Sequence, residues 1–406
     1  MVIHASYYQP RVYPYNGDIT PAQIDRLQEL SSAATLNRTK IEEVGRVGTV
    51  GFSKGIPDIT LTARQLEYGT LEFWRKLSNV SDATVTINLT DFETSAFDIA
   101  GYETDVNGTF LGTVWYPAYR MASFSFNIGD PAALMERNFS FVGEDKIVLQ
   151  NDNKYFIYKR FVASGGSPET FNVTNPDPTE DPDNSGQYIL RVLKVSGSTT
   201  TELEYNASTP SATEYTFNNG TGDLDTNTTA ADVIKVYYSA SEYVSGDTPF
   251  TDNDSDASGL QAEDSTILLA TNNTLSRLQS VAVEVTFDRD DVREIGNTDV
   301  VSRSVRDTTV RVTLGRILET YTIEEVLRGV SGFSYGKIDV RKFVDTNKLI
   351  IKTYSDNTKA SFLLGYSFDA MAVTNIDAGT PVSENVSQGT VLEGETGLIT
   401  TSEGAL

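Results

Sequence analysis

Apolar and polar residues alternate with period two over several stretches of this chain, the pattern of half-buried β-strands. Val281, Val283, Val285 and Phe287 share one face of such a stretch, and Val310, Val312 and Leu314 share a face of another. Ile59, Leu61 and Ala63 repeat the pattern near the start. The spacing then shifts in both halves to that of a short helix. Thr322 and Glu325 read as a capping box ahead of Ile323, Val326, Leu327 and Val330, and Thr70 precedes Leu71, Trp74 and Leu77. Strands are expected again at 84–89, 110–115 and 122–128, and in the second half at 337–340, 349–353 and 360–366. Three more fall between the halves, at 155–162, 188–195 and 232–239, separated by turn-rich tracts such as 175–183. A capping box at Thr20, with Pro21 at the first helical position and Ile24, Leu27 and Leu30 behind it, predicts a small N-terminal helix.

The two halves are a duplication. Residues 36–45 match 287–296 at an offset of 251: Arg38 meets Arg289, Glu43 meets Glu294 and Gly45 meets Gly296, and apolar positions stay apolar. Ile59 to Thr62 falls on Val310 to Thr313 at the same offset, and Val142 to Glu144 falls on Glu393 to Glu395. Met121 and Ala122 match Met371 and Ala372 at an offset of 250. Each copy therefore reads as strand, long polar loop, strand, helix and a run of strands. The map is a mainly β chain: an N-terminal arm and first unit over 1–150, an inserted β-domain over 151–270, and a second unit over 271–406.

Composition narrows the chemistry. The 406 residues carry 56 acids against 32 bases, a formal charge of −24. Such a chain is ill-suited to gripping nucleic acid through clustered Lys and Arg. The insert alone has 19 acids and 6 bases, so more than half of the excess sits on under a third of the chain. That charge predicts a solvated, peripheral domain rather than a packed joint. There is no Cys and a single His, His4, in the N-terminal arm. Thiol nucleophiles, zinc–thiolate sites and disulfides are excluded, a Ser–His triad has no place on the scaffold, and no Gly-rich phosphate loop is present. No catalysis and no cofactor are expected. No apolar run approaches the length of a membrane span, and the Tyr- and Pro-rich start does not read as a secretory signal.

Asp252, Asp254, Asp256 and Glu263 have the spacing of a calcium hand, but Ala257 stands where the sharp turn requires Gly, so an acidic linker is the preferred reading. The frequent Asn-x-Ser/Thr tripeptides follow from a composition rich in turn Asn and strand Thr. Trp74 and Trp115 read as core. Tyr7, Tyr8, Tyr13 and Tyr15 in the terminal arm suit a subunit interface.

The strand ending Glu43-Val44-Gly45, or Glu294-Ile295-Gly296, then a long polar loop, then 59–63 or 310–314, then one short helix and more strands, resembles the tail tube proteins of long-tailed bacteriophages and tailed archaeal viruses. The resemblance covers roughly 20–150 and 271–406 and not the insert. It implies two tandem β-sandwich or half-barrel units, each with a short helix, and an immunoglobulin-like insert on the outside. It implies a virion protein, made in the host cytoplasm. Three two-unit chains would close a homotrimeric ring, and rings would stack into a hollow tube that meets other tail proteins at its ends. DNA would pass through without specific binding, and no membrane is involved. An acidic wall suits such a conduit, because duplex DNA carries roughly one charge per 1.7 Å. The polar loops 47–57 and 298–307 would reach toward the next ring, with Arg46, Lys54, Arg303 and Arg306 as their basic contacts. The competing readings are a cell-surface adhesin or surface-layer β-protein, and a calcium-dependent carbohydrate-binding protein.

Overall fold

The computed structural model describes residues 9–15, 19–35, 38–41, 51–54, 58–105, 107, 109–143, 145–182, 185–197, 199–243, 259–269, 273–275, 278–292, 302–318, 322–328, 339–379 and 386–406. The fold is mainly β, with large antiparallel sheets and few helices; among the described residues no sheet closes into a barrel.

The first unit supplies β1 (Gln9–Pro14), β2 (Leu27–Thr35), β3 (Asp58–Leu66), β4 (Thr86–Asn88), β5 (Phe97–Thr104), β6 (Phe110–Ile128), β7 (Glu136–Gly143) and β8 (Ile147–Leu149). Helix α1 (Glu72–Ser78) follows β3, and α2 (Leu89–Thr94) follows β4. The second unit supplies β9 (Ser265–Leu269), β10 (Leu278–Val292), β11 (Ser302–Ile317), β12 (Asn347–Tyr354), β13 (Phe362–Gly379), β14 (Ser387–Gly394) and β15 (Thr396–Thr400). Helix α3 (Thr322–Leu327) and a 3-10 turn at Val340–Lys342 lie between β11 and β12.

Eight of these strands form one antiparallel sheet in the order β2–β3–β7–β6–β10–β11–β14–β13. The first four and the last four have the same connectivity, so the sheet is two copies of one four-stranded half, joined where β6 pairs with β10. The predicted faces form here: Ile59, Leu61 and Ala63, then Val281, Val283 and Val285, then Val310, Val312 and Leu314 are all buried. Behind it, the first half of β6 pairs with β5 and β8, with β1 beyond β5. The first half of β13 likewise pairs with β12 and β15, with β9 beyond β12.

Each long strand passes from one sheet to the other at an alanine in the left-handed region, Ala118 (φ 55°) in β6 and Ala370 (φ 53°) in β13. Each also carries a register shift against its neighbour a few residues on, opposite Ser140/Phe141 and opposite Val391/Leu392. Gly143 presses on the Tyr119 ring and Gly394 on Met371, where an added Cβ would come within 2.0 and 2.6 Å. Tyr119 is therefore the counterpart of Met371, and the offset along β6 and β13 is 252. The expected match of Met121 with Met371 is corrected by two positions, because the bulge rather than the shared Met fixes the register.

The predicted helix after Thr20 is instead a short strand, Ala22–Gln23, followed by β2. Pairing of β2 along β3 satisfies one side of its backbone, and this tertiary ladder overrides the local capping signal. The strand expected at 84–89 shortens to β4, because Asn88 and Asp91 form a capping box that starts α2 at Leu89. The strands expected at 110–115 and 122–128 are one strand, β6. Residues 337 and 338 lie outside the described residues, and Val340 opens the 3-10 turn.

The insert strands arise within a residue of their expected places, at Tyr155–Val162, Ile189–Ser196 and Val233–Ala240. With Thr199–Glu202 they form one four-stranded sheet, and a second contains Glu169–Asn172, Asp223–Thr226, Glu214–Asn218 and Glu204–Tyr205. A separate apolar cluster fills the space around these strands. β9 falls inside the 151–270 interval yet pairs with β12 of the second unit.

Candidate assembly surfaces

The two units meet at an internal seam built like a core. Phe124, Phe126 and Ile128 of β6 stand opposite Val285, Val283 and Val281 of β10. Phe92 lies 6.0 Å from Phe287 and Phe126 lies 4.7 Å from Tyr366, ring centre to ring centre, so aromatic side chains of both units pack together. Tyr366 donates its hydroxyl proton to Glu67 Oε2 at 2.6 Å across the seam. Arg289 reaches from β10 to three backbone carbonyls of the first unit, Met121, Glu93 and Phe92, each at 2.8 Å. Burial, together with the positive charge of nearby Arg120, lowers its pKa from the usual arginine value to about 10. On the far side β4 pairs with β15, Ile87 opposite Ile399.

The counterparts of these groups lie on the outside of the chain. β2 pairs only with β3 and β13 only with β14 across the large sheet, so both outer edges present unpaired backbone among the described residues. Ala34 of β2 is exposed where its counterpart Val285 is buried. Val148 of β8 is 48% exposed, whereas its counterpart Ile399 is 0%. Val340 is 63% exposed, whereas its counterpart Leu89 is 1%. The apolar groups that the seam covers in one unit are thus uncovered at the equivalent places in the other.

Inside each unit, one buried constellation recurs with its members exchanged. Arg137 of β7 faces Gln65 of β3, donating to Gln65 Oε1 at 2.7 Å, and lies 3.2 Å from Glu67. In the second unit Arg316 of β11 faces Gln388 of β14, donating to Gln388 Oε1 at 2.6 Å and pairing with Glu324 at 2.8 Å. Gln388 also donates to Glu324 Oε1 at 2.7 Å. Sequence comparison at a fixed offset finds Arg against Gln and misses the relation; pairing partners across the strands reveals it.

The arm tyrosines divide. Tyr7, Tyr8 and His4 lie outside the described residues. Tyr13 and Tyr15 sit within the chain, at the joint with the insert. Tyr13 packs with Trp115, Leu149, Phe156, Leu193 and Tyr237 in an aromatic cluster. Asp98 of β5, fully buried, accepts from the Tyr15 hydroxyl at 2.6 Å, the Ala118 amide at 2.8 Å and the Trp115 indole at 3.1 Å. Arg191 of the insert lies 3.2 Å from the same carboxylate and also pairs with Glu202. Lys235 donates to the Pro14 carbonyl at 2.7 Å. The expectation that the insert lacks a packed joint is therefore corrected: its base is an apolar joint with a buried ion pair.

Of the basic loop candidates, Arg46 lies outside the described residues, and Lys54 ends a strand, Gly51–Lys54, that pairs with Arg38–Ile41. Arg303 and Arg306 lie on β11, which stays paired with β10 out to Val292 opposite Ser302. The segments expected as loops are partly two-stranded ribbons, because their alternating Thr, Ser and Val suit ladders as well as loops. The second ribbon runs past both neighbours, since β6 pairs with β10 only over 281–286 and β14 with β11 only over 310–317. Arg306 forms a cross-strand ion pair with Asp288. Asp252, Asp254 and Asp256 lie outside the described residues, and exposed Glu263 accepts from Asn357 at 3.4 Å. Among the described residues no group of three or more His, Cys, Asp or Glu side chains is placed to hold a metal ion. None of their helices is long and apolar enough to cross a membrane.

No protein-family model matches this sequence, and no curated protein does. Among solved structures, a chain of the anti-feeding prophage baseplate, determined by cryo-EM with sixfold symmetry imposed, is similar to it over 35% of this chain and 92% of its own, at 12% identity and a TM-score of 0.25. A likeness this loose assigns neither function nor assembly.

Proposed function

We propose that this protein is a structural, non-catalytic virion subunit whose chains join head to tail, three to a ring, and whose rings stack into a tail tube that conducts DNA. The observation that carries the reading is the internal seam. β6 pairs with β10, and the counterparts of those two strands, β13 and β2, are the two open edges of the same sheet. A chain whose one end matches its other end makes a heterologous contact, which yields a ring when the rotation closes. Copying the β6–β10 register by the repeat offsets places Ile376 opposite Ala34 and Ala378 opposite Ser32 of the next chain.

Three chains contribute twenty-four strands. At a spacing of roughly 4.8 Å and a tilt of about 40°, such a barrel is about 48 Å across between backbones. The apolar face of the sheet is covered by helices and the second sheets, so the polar face would line the channel. That face carries Ser31, Thr62, Ser123, Ser125 and Thr286, with Arg64 beside Glu136 at 3.3 Å and Arg311 beside Glu393 at 3.8 Å. Small hydroxyls and neutralised arginines offer a phosphate backbone little to hold. The two ribbons would reach the adjoining ring.

Native mass spectrometry and cryo-EM of assembled material test the reading. Closed rings of three chains are expected. Rings of six chains, or a protein that stays monomeric over a wide range of concentration and salt, would refute it.

A further inference from the structure

Arg289 shows what an arginine at this place does. Its fork spans the end of α2 and the bulged strand β6, satisfying three carbonyls that point out of the first unit. Its counterpart at offset 251 is Arg38, in the same position of the equivalent ribbon: Arg289 stands opposite Val305, and Arg38 opposite Lys54. Most residues differ between the two copies, yet both keep arginine here. Beyond this backbone ladder, the side chain of Arg38 is exposed and makes no hydrogen bond or ion pair among the described residues. An arginine serving only solubility needs no fixed position, whereas one that reads three carbonyls does.

The receiving site is also duplicated. Phe92 and Glu93 correspond to Phe343 and Val344, which follow the 3-10 turn at Val340–Lys342 as Phe92 and Glu93 lie in α2. Met121 corresponds to Val373, and each stands at the register shift of its strand. Near each place a side chain three residues on donates to a carbonyl: Ser95 Oγ to Phe92 O at 3.2 Å, and Asn347 Nδ2 to Val344 O, the counterpart of Glu93 O, at 2.7 Å. In each place a second lone pair is available to a further donor. β13 is an outer edge, so the arginine that completes this site must come from another copy.

We propose that Arg38 of one chain is the key of the contact between chains, capping the backbone carbonyls of Phe343, Val344 and Val373 in the next. The inference rests on the head-to-tail ring described above. It assigns to Arg38 an intermolecular role that Arg289 performs within the chain.

Three variants test it, each read twice: the free chain by thermal denaturation, and assembly by sedimentation velocity. Arg38→Ala is expected to leave the free chain unchanged and to weaken ring formation at least roughly 100-fold, the loss of charge-assisted bonds at every seam. Arg38→Lys should recover only part of it, because one ammonium cannot span three carbonyls. Arg289→Ala should destabilise the free chain itself. Wild-type rings of three chains with Arg38→Ala rings of equal strength would overturn the role of Arg38 and leave the ring intact. Free-chain destabilisation by Arg38→Ala comparable to that of Arg289→Ala would also overturn it. A wild-type chain that forms no ring would overturn both.

Discussion

Asp98→Asn perturbs the joint between the insert and the first unit at its most constrained atom pair. Oδ1 accepts from Tyr15, Ala118 and Arg191, and Oδ2 accepts from Trp115. An amide has one carbonyl oxygen. If it replaces Oδ1, its NH2 faces the Trp115 N–H, and a buried indole donor loses its acceptor, which costs about 1–3 kcal/mol. Arg191, only 8% exposed, loses the buried one of its two carboxylates, and Glu202, 53% exposed, compensates weakly. Breaking a buried pair by removing one partner costs about 3–5 kcal/mol, and the whole substitution falls in that range. Urea denaturation followed by circular dichroism and by tryptophan fluorescence measures it, since Trp115 touches the altered group. Glu202→Gln is the control, with an expected loss below about 1 kcal/mol because its carboxylate is half in water. An Asp98→Asn chain within about 1 kcal/mol of wild type would show that the joint is held by the aromatic cluster alone.

Val148→Asp and Val340→Asp should each leave the free chain within about 0.5 kcal/mol of wild type, as exposed substitutions do, and weaken assembly; unaltered rings in both would place these valines away from the seam. Ala118→Val and Ala370→Val should each lower stability by about 2 kcal/mol, because a β-branched side chain is strained at positive φ, while Ala118→Gly stays within about 1 kcal/mol; thermal denaturation decides. Hydrogen bonds from Thr228 and from Ser164 and Gly165 hold the Glu169 carboxyl down from 4.5 to about 2. A depressed folded pKa gives stabilisation that is complete above about pH 4.5 and lost as pH falls toward 2, so the protection of the Ser164 and Gly165 amides, relative to their intrinsic exchange rates, should fall over that window, and Glu169→Gln should remove that fall.

Much of the fold is legible in the sequence where one face of a strand meets solvent. Val281, Val283 and Val285 alternate with Ala282 and Glu284, and the buried face follows directly. The insert strands are equally plain, being bounded by Pro- and Asn-rich turns. Reading fails where tertiary pairing decides. The stripe of Ile24, Leu27 and Leu30 fits a helix as well as a strand, and only the neighbouring β3 settles it. The unity of β6 is hidden because Tyr116, Pro117 and Ala118 lie at the sheet change, where alternation breaks. Of the assembly surfaces, the match of Arg38 with Arg289 is visible in the sequence, but its meaning depends on three carbonyls that no sequence displays. The packed joint is missed because Asp98 and Arg191 are far apart in the chain and each reads as an ordinary surface charge.

The exchanged Arg and Gln also bear on how the two halves can recombine. In the first unit the cation sits on β7 at Arg137, and in the second on β11 at Arg316, each facing a glutamine. Transplanting β11 alone into the first unit would set Arg against Arg beside a single Glu67. The reciprocal transplant would set Gln against Gln and leave Glu324 buried without a cation. Either product carries an uncompensated buried charge, at a cost of several kcal/mol. Gene conversion between the halves is therefore penalised strand by strand and tolerated only when both strands move together. The exchange acts as a genetic barrier, keeping two copies of one architecture from being homogenised and leaving each free to specialise.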